Sequence, residues 1–535
     1  MKYDPLSYPY ASRRNLVYGT KGMVATSQPL AAQAGLDMLK QGGNAVDAAI
    51  ATAACLTVVE PSGNGIGSDA FAIVHMDGKM YGLNASGPAP KSLTLESLKK
   101  AGYDKIPKFG IIPVTVPGAP AAWVSLSQRF GRLPFKQLLE PAISYAEQGF
   151  AISPVISKLW KAAFHLYAAQ NDPALQAWFD MFAPQGRPPE TGEIWRSPDH
   201  AFSLKSIAET AGRSLYEGVL AEKIAAFAKK HGGFLTVEDL AEFQPEWVDP
   251  LHVKYRGYEV WELPPNSQGL VVLEALNILK GFEFAARDCF STYHRQIETI
   301  KLAFADALAH IADPKMMKVN TELFLSEAYA EERRKKIGQT AQIAETGRPH
   351  NGGTVYLATA DGEGNMVSFI QSNFHGFGSG VVIPGTGISL QNRGFSFSVD
   401  PKQANCLASG KRPYHTIIPG FITKEDQPIG PFGIMGGYIQ PQAHVQVLMN
   451  VLDFQLNPQA ALDAPRWQWI EENKIEVEAS FPEYLAEELV RGGHQVVRSA
   501  IGATTFGRGQ IIWRNDQGVL TGATEPRTDG TVAVW

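Results

Sequence analysis

The chain has 535 residues, 44% hydrophobic and 19% charged, and a net charge of −5 at pH 7. That supplies a sizeable core and excludes a mainly disordered chain, while the slightly acidic balance excludes a surface built to coat nucleic acid or an anionic membrane. Cys55, Cys289 and Cys406 lie far apart without a CxxC pair, so they support neither a disulfide framework nor a zinc site and fit a reducing, cytoplasmic compartment. The stretch MKYDPLSYPYASRRNL has no apolar h-region, so no signal peptide is expected, and no apolar run is long enough to span a membrane. At roughly 150 residues per domain the length allows three or four domains.

In chain order, Gly22–Thr26 reads as a short strand, and Ser27 is placed to cap a periodic helix to Gln41, ended by Gly42-Gly43-Asn44. Ala45–Leu56 is small and apolar on nearly every side, the mark of a helix buried all round. Gly63–Gly67 is a glycine turn before a strand at Phe71–His75. Residues 115–310 read as mostly helical with Pro/Gly punctuation, for example Pro134–Gln148, Leu220–Lys230 and Gln268–Leu279. Glu331–Lys336 (EERRKK) reads as a solvated helix face, and Ile337–Gly353 as a polar surface linker.

The pattern then changes to short strands. Thr354–Ala360 and Met366–Ser372 flank the turn DGEGN, a hairpin signal. Further strands are expected at Gly387–Gln391, Thr416–Ile422, Pro431–Met435, Lys474–Glu478 and Gln510–Asn515, with a helix over Pro441–Asp453. The chain is helix-rich before about residue 350 and strand-rich after it, without internal repeats.

Gly65-Ile66-Gly67-Ser68-Asp69-Ala70 matches a dinucleotide-binding glycine pattern, but a helix precedes it where a strand is required, so the phosphate reading fails. The twelve histidines do not cluster at ligand spacing, and neither a metal nor a cofactor is expected. The informative segment is Gly352-Gly353-Thr354, where a threonine opens a strand at the end of a polar linker. Threonine starts many strands. If the chain is cut before Thr354, however, the freed α-amine, with an unperturbed pKa near 8, can act as base toward the hydroxyl beside it. Small glycines let that hydroxyl approach the Gly353 carbonyl, so the precursor can shift N to O and hydrolyse itself. Ser372 ends the partner strand, placed to hold the Thr354 hydroxyl. Gly436-Gly437, between a strand and a helix, can present backbone N–H groups to an oxyanion.

The whole chain resembles the γ-glutamyltranspeptidase family of N-terminal nucleophile hydrolases. The resemblance is carried in order by GMVATSQPLAAQAGLDMLKQGGNAVDAAIATAACLTVVEP, VPGAPAAW, EPAISYAEQGF, HGGFLTVEDLAEF, ELPPNSQG, TVYLATADGEGNMVS, GFGSG, GISLQN, KRPYHTIIP, MGG, APRW and GATEPRTDG. It implies an α+β, four-layer αββα sandwich. It also implies a precursor cut between Gly353 and Thr354 into a helix-rich segment, residues 1–353, and a strand-rich segment, residues 354–535, that stay together as one unit. Thr354 matches the nucleophile, Ser372 the residue that holds it, and Gly436 and Gly437 the oxyanion hole.

The departures lie in the family's grip on the γ-glutamyl group. The α-carboxylate arginine falls on Ala85, and an asparagine on Phe374, with Asn373 adjacent. The glutamine and the amine-binding aspartate fall on Arg393 and Ser396, the paired serines on His415 and Thr416, and the threonine after the nucleophile on Val355. The lid loop between Ser398 and Lys411 is short, so a more open site is expected. Losing a cation and an anion that pair with both ends of an amino acid costs on the order of several kcal/mol of recognition. This pattern resembles the branch of glutathione-hydrolase-like proteins and cephalosporin or glutaryl-amide acylases.

The resulting expectation is an amidohydrolase or acyltransferase that cleaves γ-glutamyl or related dicarboxylyl amides through an acyl-threonine. Its partners are a small-molecule amide and its own two fragments, with no nucleic acid or membrane, and a homodimer is one candidate assembly. Asn373, Arg393, Ser396, His415 and Thr416 are the candidate substrate contacts. The alternative is an uncleaved, non-catalytic binding protein on the same fold. Arg393 has two readings: a structural arginine that satisfies a loop carbonyl or pairs with a carboxylate such as Asp400, or the group that binds the distal carboxylate of a dicarboxylyl substrate.

Overall fold

A computed structural model describes residues 14–344 and 352–535. Its centre is two seven-stranded sheets, antiparallel at every pairing. The strands are β1 (Val17–Gly19), β2 (Gly22–Thr26), β3 (Asp69–Met76), β4 (Lys79–Ala85), β5 (Glu246–Val248), β6 (Leu251–Tyr255), β7 (Tyr258–Glu262), β8 (Gly353–Asp361), β9 (Met366–Phe374), β10 (Gly420–Lys424), β11 (Gln427–Met435), β12 (Arg508–Arg514), β13 (Leu520–Thr524) and β14 (Thr531–Val534). One sheet runs β14-β2-β8-β9-β3-β4-β5 and the other β1-β13-β12-β11-β10-β7-β6. Both sheets draw strands from either side of Gly353, so the two segments share one body rather than forming separate domains.

The sheets face each other across a core that includes Met23, Phe71, Ile73, Tyr356, Ile370, Phe421 and Ile512. Helices α1 (Pro29–Lys40) and α2 (Ala45–Val59) cover the outer face of the first sheet. Helices α3 (Gly269–Leu279) and α4 (Ile439–Leu452) cover that of the second. The result is the four-layer αββα sandwich. Every residue of α2 is buried, as its all-round apolar sequence requires, and Asn44 and Asp47 start it with a reciprocal capping box.

The structure corrects several expectations. Gln28, not Ser27, caps α1, its side chain accepting from Leu30 N–H; Ser27 instead donates to the buried Glu60 carboxylate. Strands β5, β6 and β7 interrupt the stretch read as mostly helical. They are too short for a clear alternation, and the turn that joins β6 to β7 is a left-handed pair, Arg256 and Gly257, at φ 50 and 86. In EERRKK two arginines are anchored: Arg333 pairs with the buried Asp306, and Arg334 donates to the Ile278 and Asn277 carbonyls. The strand expected over Gly387–Gln391 shrinks to Ile388–Ser389, and that over Thr416–Ile422 begins only at Gly420. Residues 345–351 of the expected linker lie outside the described residues, and Gly353 already belongs to β8.

Beside the second sheet, Glu525 is fully buried and accepts from Arg466, Arg527 and Gly509 N–H. Burial alone raises its carboxyl, but Arg466 and Arg527 outweigh it and hold the group below its ordinary range. Arg466 also donates to the Phe506 and Gly507 carbonyls. Glu525→Leu leaves Arg466 buried beside a methyl group and is expected to cost about 3–5 kcal/mol, read as a lowered urea midpoint at unchanged slope. The depressed carboxyl contributes stability at neutral pH that is lost as pH falls through its folded-state pKa.

Candidate active site

The turn after β8 returns the chain as β9, setting Gly353 opposite Phe374 and Val355 opposite Gln371. Between those pairs β8 has one residue, Thr354, and β9 has two, Ser372 and Asn373, so the extra residue is on β9 and the ladder bulges opposite Thr354. Phe374, on the other side of the bulge, takes φ 75. Thr354 Oγ1 lies 3.0 Å from Ser372 Oγ, and Ser372 Oγ donates to the Gly353 carbonyl at 2.8 Å. Both side chains are buried, with Thr354 1% exposed. The short lid loop runs from Ser398 to Lys411. The loop folds on itself, with Lys411 Nζ donating to the Ala404 and Cys406 carbonyls.

Glycine is required beneath this bulge. A Cβ at Gly63 would stand 3.0 Å from Thr354 O, one at Gly65 2.8 Å from Ser389 Oγ, and one at Gly67 2.3 Å from Ser389 O. The dinucleotide-like pattern is thus a close-packing turn against Ser389, tied to the nucleophile hairpin through Ser68 and Asn373.

Strand β3 lies beside β9 and sets Asp69 directly opposite Ser372. Arg393, fully buried, reaches into this corner: Nη1 donates to Thr416 Oγ1 at 2.7 Å and Nη2 to Ser372 Oγ at 3.2 Å. Its Nε is 3.9 Å from Asp69 Oδ2, and its guanidinium stacks 4.1 Å over the Phe374 ring. Asp69 also accepts from Gly87 N–H at 3.1 Å and from His415 Nε2 at 3.0 Å. Burial raises the Asp69 carboxyl to about 7 against the pull of Arg393, and it lowers Arg393 to about 10. Burial and Arg393 together hold His415 well below its usual value, so the ring is neutral. With Ile417 N–H directed at Nδ1, the network assigns the His415 proton to Nε2, facing Asp69.

Gly436 and Gly437 join β11 to α4 at φ 140 and 78. The segment before Thr354 lies against this turn: a Cβ on Gly352 would be 3.5 Å from Gly437 Cα and 2.6 Å from Phe374 O. Gln268 Nε2 ties Gly437 O, at 3.0 Å, to the strand-like run that carries His415 and Thr416.

Most of the residues singled out in the sequence converge here, with local differences. Ser396 spends its hydroxyl on the Arg393 and Tyr414 carbonyls. Asn373 Oδ1 accepts from Ser68 Oγ at 2.8 Å, while its buried Nδ2 has no hydrogen-bond partner. Ala85 is buried at the end of β4, opposite Ala70. The carboxylate beside Arg393 is Asp69, not Asp400, which is exposed and accepts from Lys402 N–H. Sequence reasoning missed Asp69 and Ser68; the signal was present, since both end the glycine pattern rejected as a phosphate loop. The structure also gathers His294, Glu298 and His494, which are far apart in sequence. Lys301 donates to Glu298 there and the two imidazoles bond each other, so a cation and a hydrogen bond already occupy the cluster.

A strand-opening threonine held by a serine, on a hairpin inside an αββα sandwich, defines the class of N-terminal nucleophile hydrolases. The γ-glutamyltranspeptidase family model matches residues 31–535, and the chain belongs to that family. It is 37% identical over 524 residues to the glutathione hydrolase-like YwrD proenzyme of Bacillus subtilis (strain 168), covering 96% of this chain and 98% of that one. It is 35% identical over 531 residues to the acylase ACY 1 proenzyme of Pseudomonas sp. (strain SE83), covering 96% and 93%. The crystal structure of cephalosporin acylase from Bacillus halodurans superposes with a TM-score of 0.97 at 60% identity, covering 100% of this chain and 99% of that one. The chain is an amide-cleaving threonine hydrolase of this family; nothing favours the non-catalytic alternative. Among the described residues no helix is long and apolar enough to cross a membrane.

Proposed function

We propose that the precursor cuts itself between Gly353 and Thr354, and that Thr354 then hydrolyses the amide of a carboxylate-bearing acyl group. The observation that carries this is Thr354 Oγ1 at 3.0 Å from Ser372 Oγ, with the Gly353 carbonyl on the same hydroxyl. In turnover the freed α-amine takes the Thr354 hydroxyl proton as Oγ attacks the amide carbon. The Gly436 and Gly437 N–H groups stabilise the oxyanion. The amine leaves with that proton, and water releases the acid from the acyl-threonine. Cleavage also lets Gly352 and Gly353 leave the space between Phe374 and Gly437, which the substrate then enters. Denaturing electrophoresis should show two fragments, the smaller beginning Thr-Val-Tyr; an active protein that stays whole would overturn the reading. The free cysteines support a cytoplasmic, reducing setting.

The substrate preference follows from the charges left in the site. Ala85 and Ser396 cannot pair with an amino acid's carboxylate and amine, and Arg393 supplies a cation beside the nucleophile instead. A dicarboxylyl group without an α-amine fits that balance. We therefore expect weak γ-glutamyl transfer from glutathione to a dipeptide. Arg393→Met, measured per cleaved chain, should lose about 10- to 150-fold in kcat/KM on a carboxylated amide and far less on its uncarboxylated analogue. Equal losses on both would make Arg393 no substrate contact.

A further inference from the structure

Ser372 Oγ has one proton and two lone pairs, and four groups surround it. Phe374 N–H donates to it at 2.8 Å and Arg393 Nη2 at 3.2 Å, which fills both lone pairs. Its own proton therefore points outward, to the Gly353 carbonyl at 2.8 Å and the Thr354 hydroxyl at 3.0 Å. In this arrangement Ser372 cannot accept the Thr354 proton. It is a donor to the oxygen that becomes negative when the Gly353 carbonyl is attacked, and a cationic group behind it strengthens that donation.

We propose that Arg393, anchored by Asp69 and His415, is a positioning residue for self-cleavage: it locks Ser372 as the oxyanion donor to the Gly353 carbonyl. The proposal rests on Thr354 being the self-cleavage nucleophile. In the step, Thr354 Oγ bonds to the Gly353 carbonyl carbon, and the developing oxyanion takes the Ser372 hydrogen bond. The carbon–nitrogen bond then breaks, and the Oγ proton ends on the Thr354 nitrogen as it becomes an amine. Water hydrolyses the resulting ester to a Gly353 carboxylate and the Thr354 hydroxyl. Asp69, Arg393 and His415 work as one unit: the carboxylate keeps the guanidinium beside Ser372, and the neutral imidazole donates to that carboxylate. The three come from separate stretches of chain, and two of them stand where the family's substrate-binding glutamine and serine are replaced.

The charged and titratable groups that bear on Asp69 are Arg393, His415, Arg412 and Tyr216. Burial and Arg393 hold His415 neutral, and burial pushes the Tyr216 hydroxyl far up, so Asp69 is the group of this set that titrates near neutrality. Its raised pKa places the ionised, anchoring form above about 7 and the protonated form below it.

The test is a time course of cleavage of freshly translated full-length chain, followed on denaturing gels from pH 5.5 to 9. Arg393→Gln is expected to slow cleavage about 10- to 150-fold. Asp69→Asn should also slow it and abolish the wild-type inflection near pH 7. Folding is checked by thermal melting. If Arg393→Gln does not fold because Asp69 is left unpaired, the double variant Asp69→Asn/Arg393→Gln, which buries no charge, is read in its place. Wild-type cleavage by a folded Arg393→Gln or by the double variant overturns the proposal, as does an Asp69→Asn profile superimposable on the wild type. Failure of the wild type to cleave would instead sink the assignment of Thr354.

Discussion

Thr354→Ala is expected to run as a single chain of 58.2 kDa and to lose at least about three orders of magnitude of amide hydrolysis. The substitution removes the atom that attacks in both reactions, so cleavage and turnover fail together. The fold should survive. The Thr354 hydroxyl bonds to Ser372, and one such neutral hydrogen bond is worth about 1 kcal/mol net. Thr354→Ser keeps a hydroxyl opposite the same bulge and should still yield two fragments. Electrophoresis, thermal melting and an amide assay on the same preparations separate loss of the nucleophile from loss of the fold. Two fragments from Thr354→Ala would move the cut, or the nucleophile, elsewhere.

Gly436→Ala carries the second large effect. At φ 140 the residue occupies backbone space that L side chains rarely adopt, and a Cβ there would meet Ile439 Cγ2 at 2.8 Å and Gly507 Cα at 3.2 Å. The turn must shift by a few tenths of an ångström, at a cost of about 1–3 kcal/mol. On the proposed oxyanion role of the Gly436 and Gly437 N–H groups, that shift misplaces them, so kcat should fall about 10²- to 10³-fold. KM should change little, because the loss falls on the transition state. Gly232→Ala is the control: it is left-handed at φ 73 but faces open space, so it strains the backbone without touching the site. If both variants lost activity in proportion to stability, Gly436 would be only a fold residue.

The two effects divide the site by how far apart its parts lie in sequence. Thr354 and Ser372 were legible because a short turn, DGEGN, sets the hairpin register, and the register alone brings their hydroxyls together. Gly436-Gly437 was legible for a similar local reason, as a strand–turn–helix junction. Helix α2 announced its burial through composition. The ordered motifs, from the N-terminal signature to GATEPRTDG, carried the family and with it the sandwich.

Arg393 was visible as a departure from the family, but its partner was not. Asp400 is seven positions away and exposed, while the true neighbour, Asp69, lies more than three hundred positions upstream. Strand β3 had to pair with β9 before Asp69 could stand opposite Ser372, and no periodicity in either strand states that pairing. The exchange of strands between the two segments was hidden for the same reason, as were the three short strands from Glu246 to Glu262. By itself, the sequence determined the nucleophile hairpin and a glycine turn after the buried helix, because each is written in residues that touch through local geometry. Only the tertiary structure decided which carboxylate holds the buried guanidinium and which way Ser372 turns its proton. Both depend on long-range strand pairing and on desolvation, which act between residues that the chain keeps far apart.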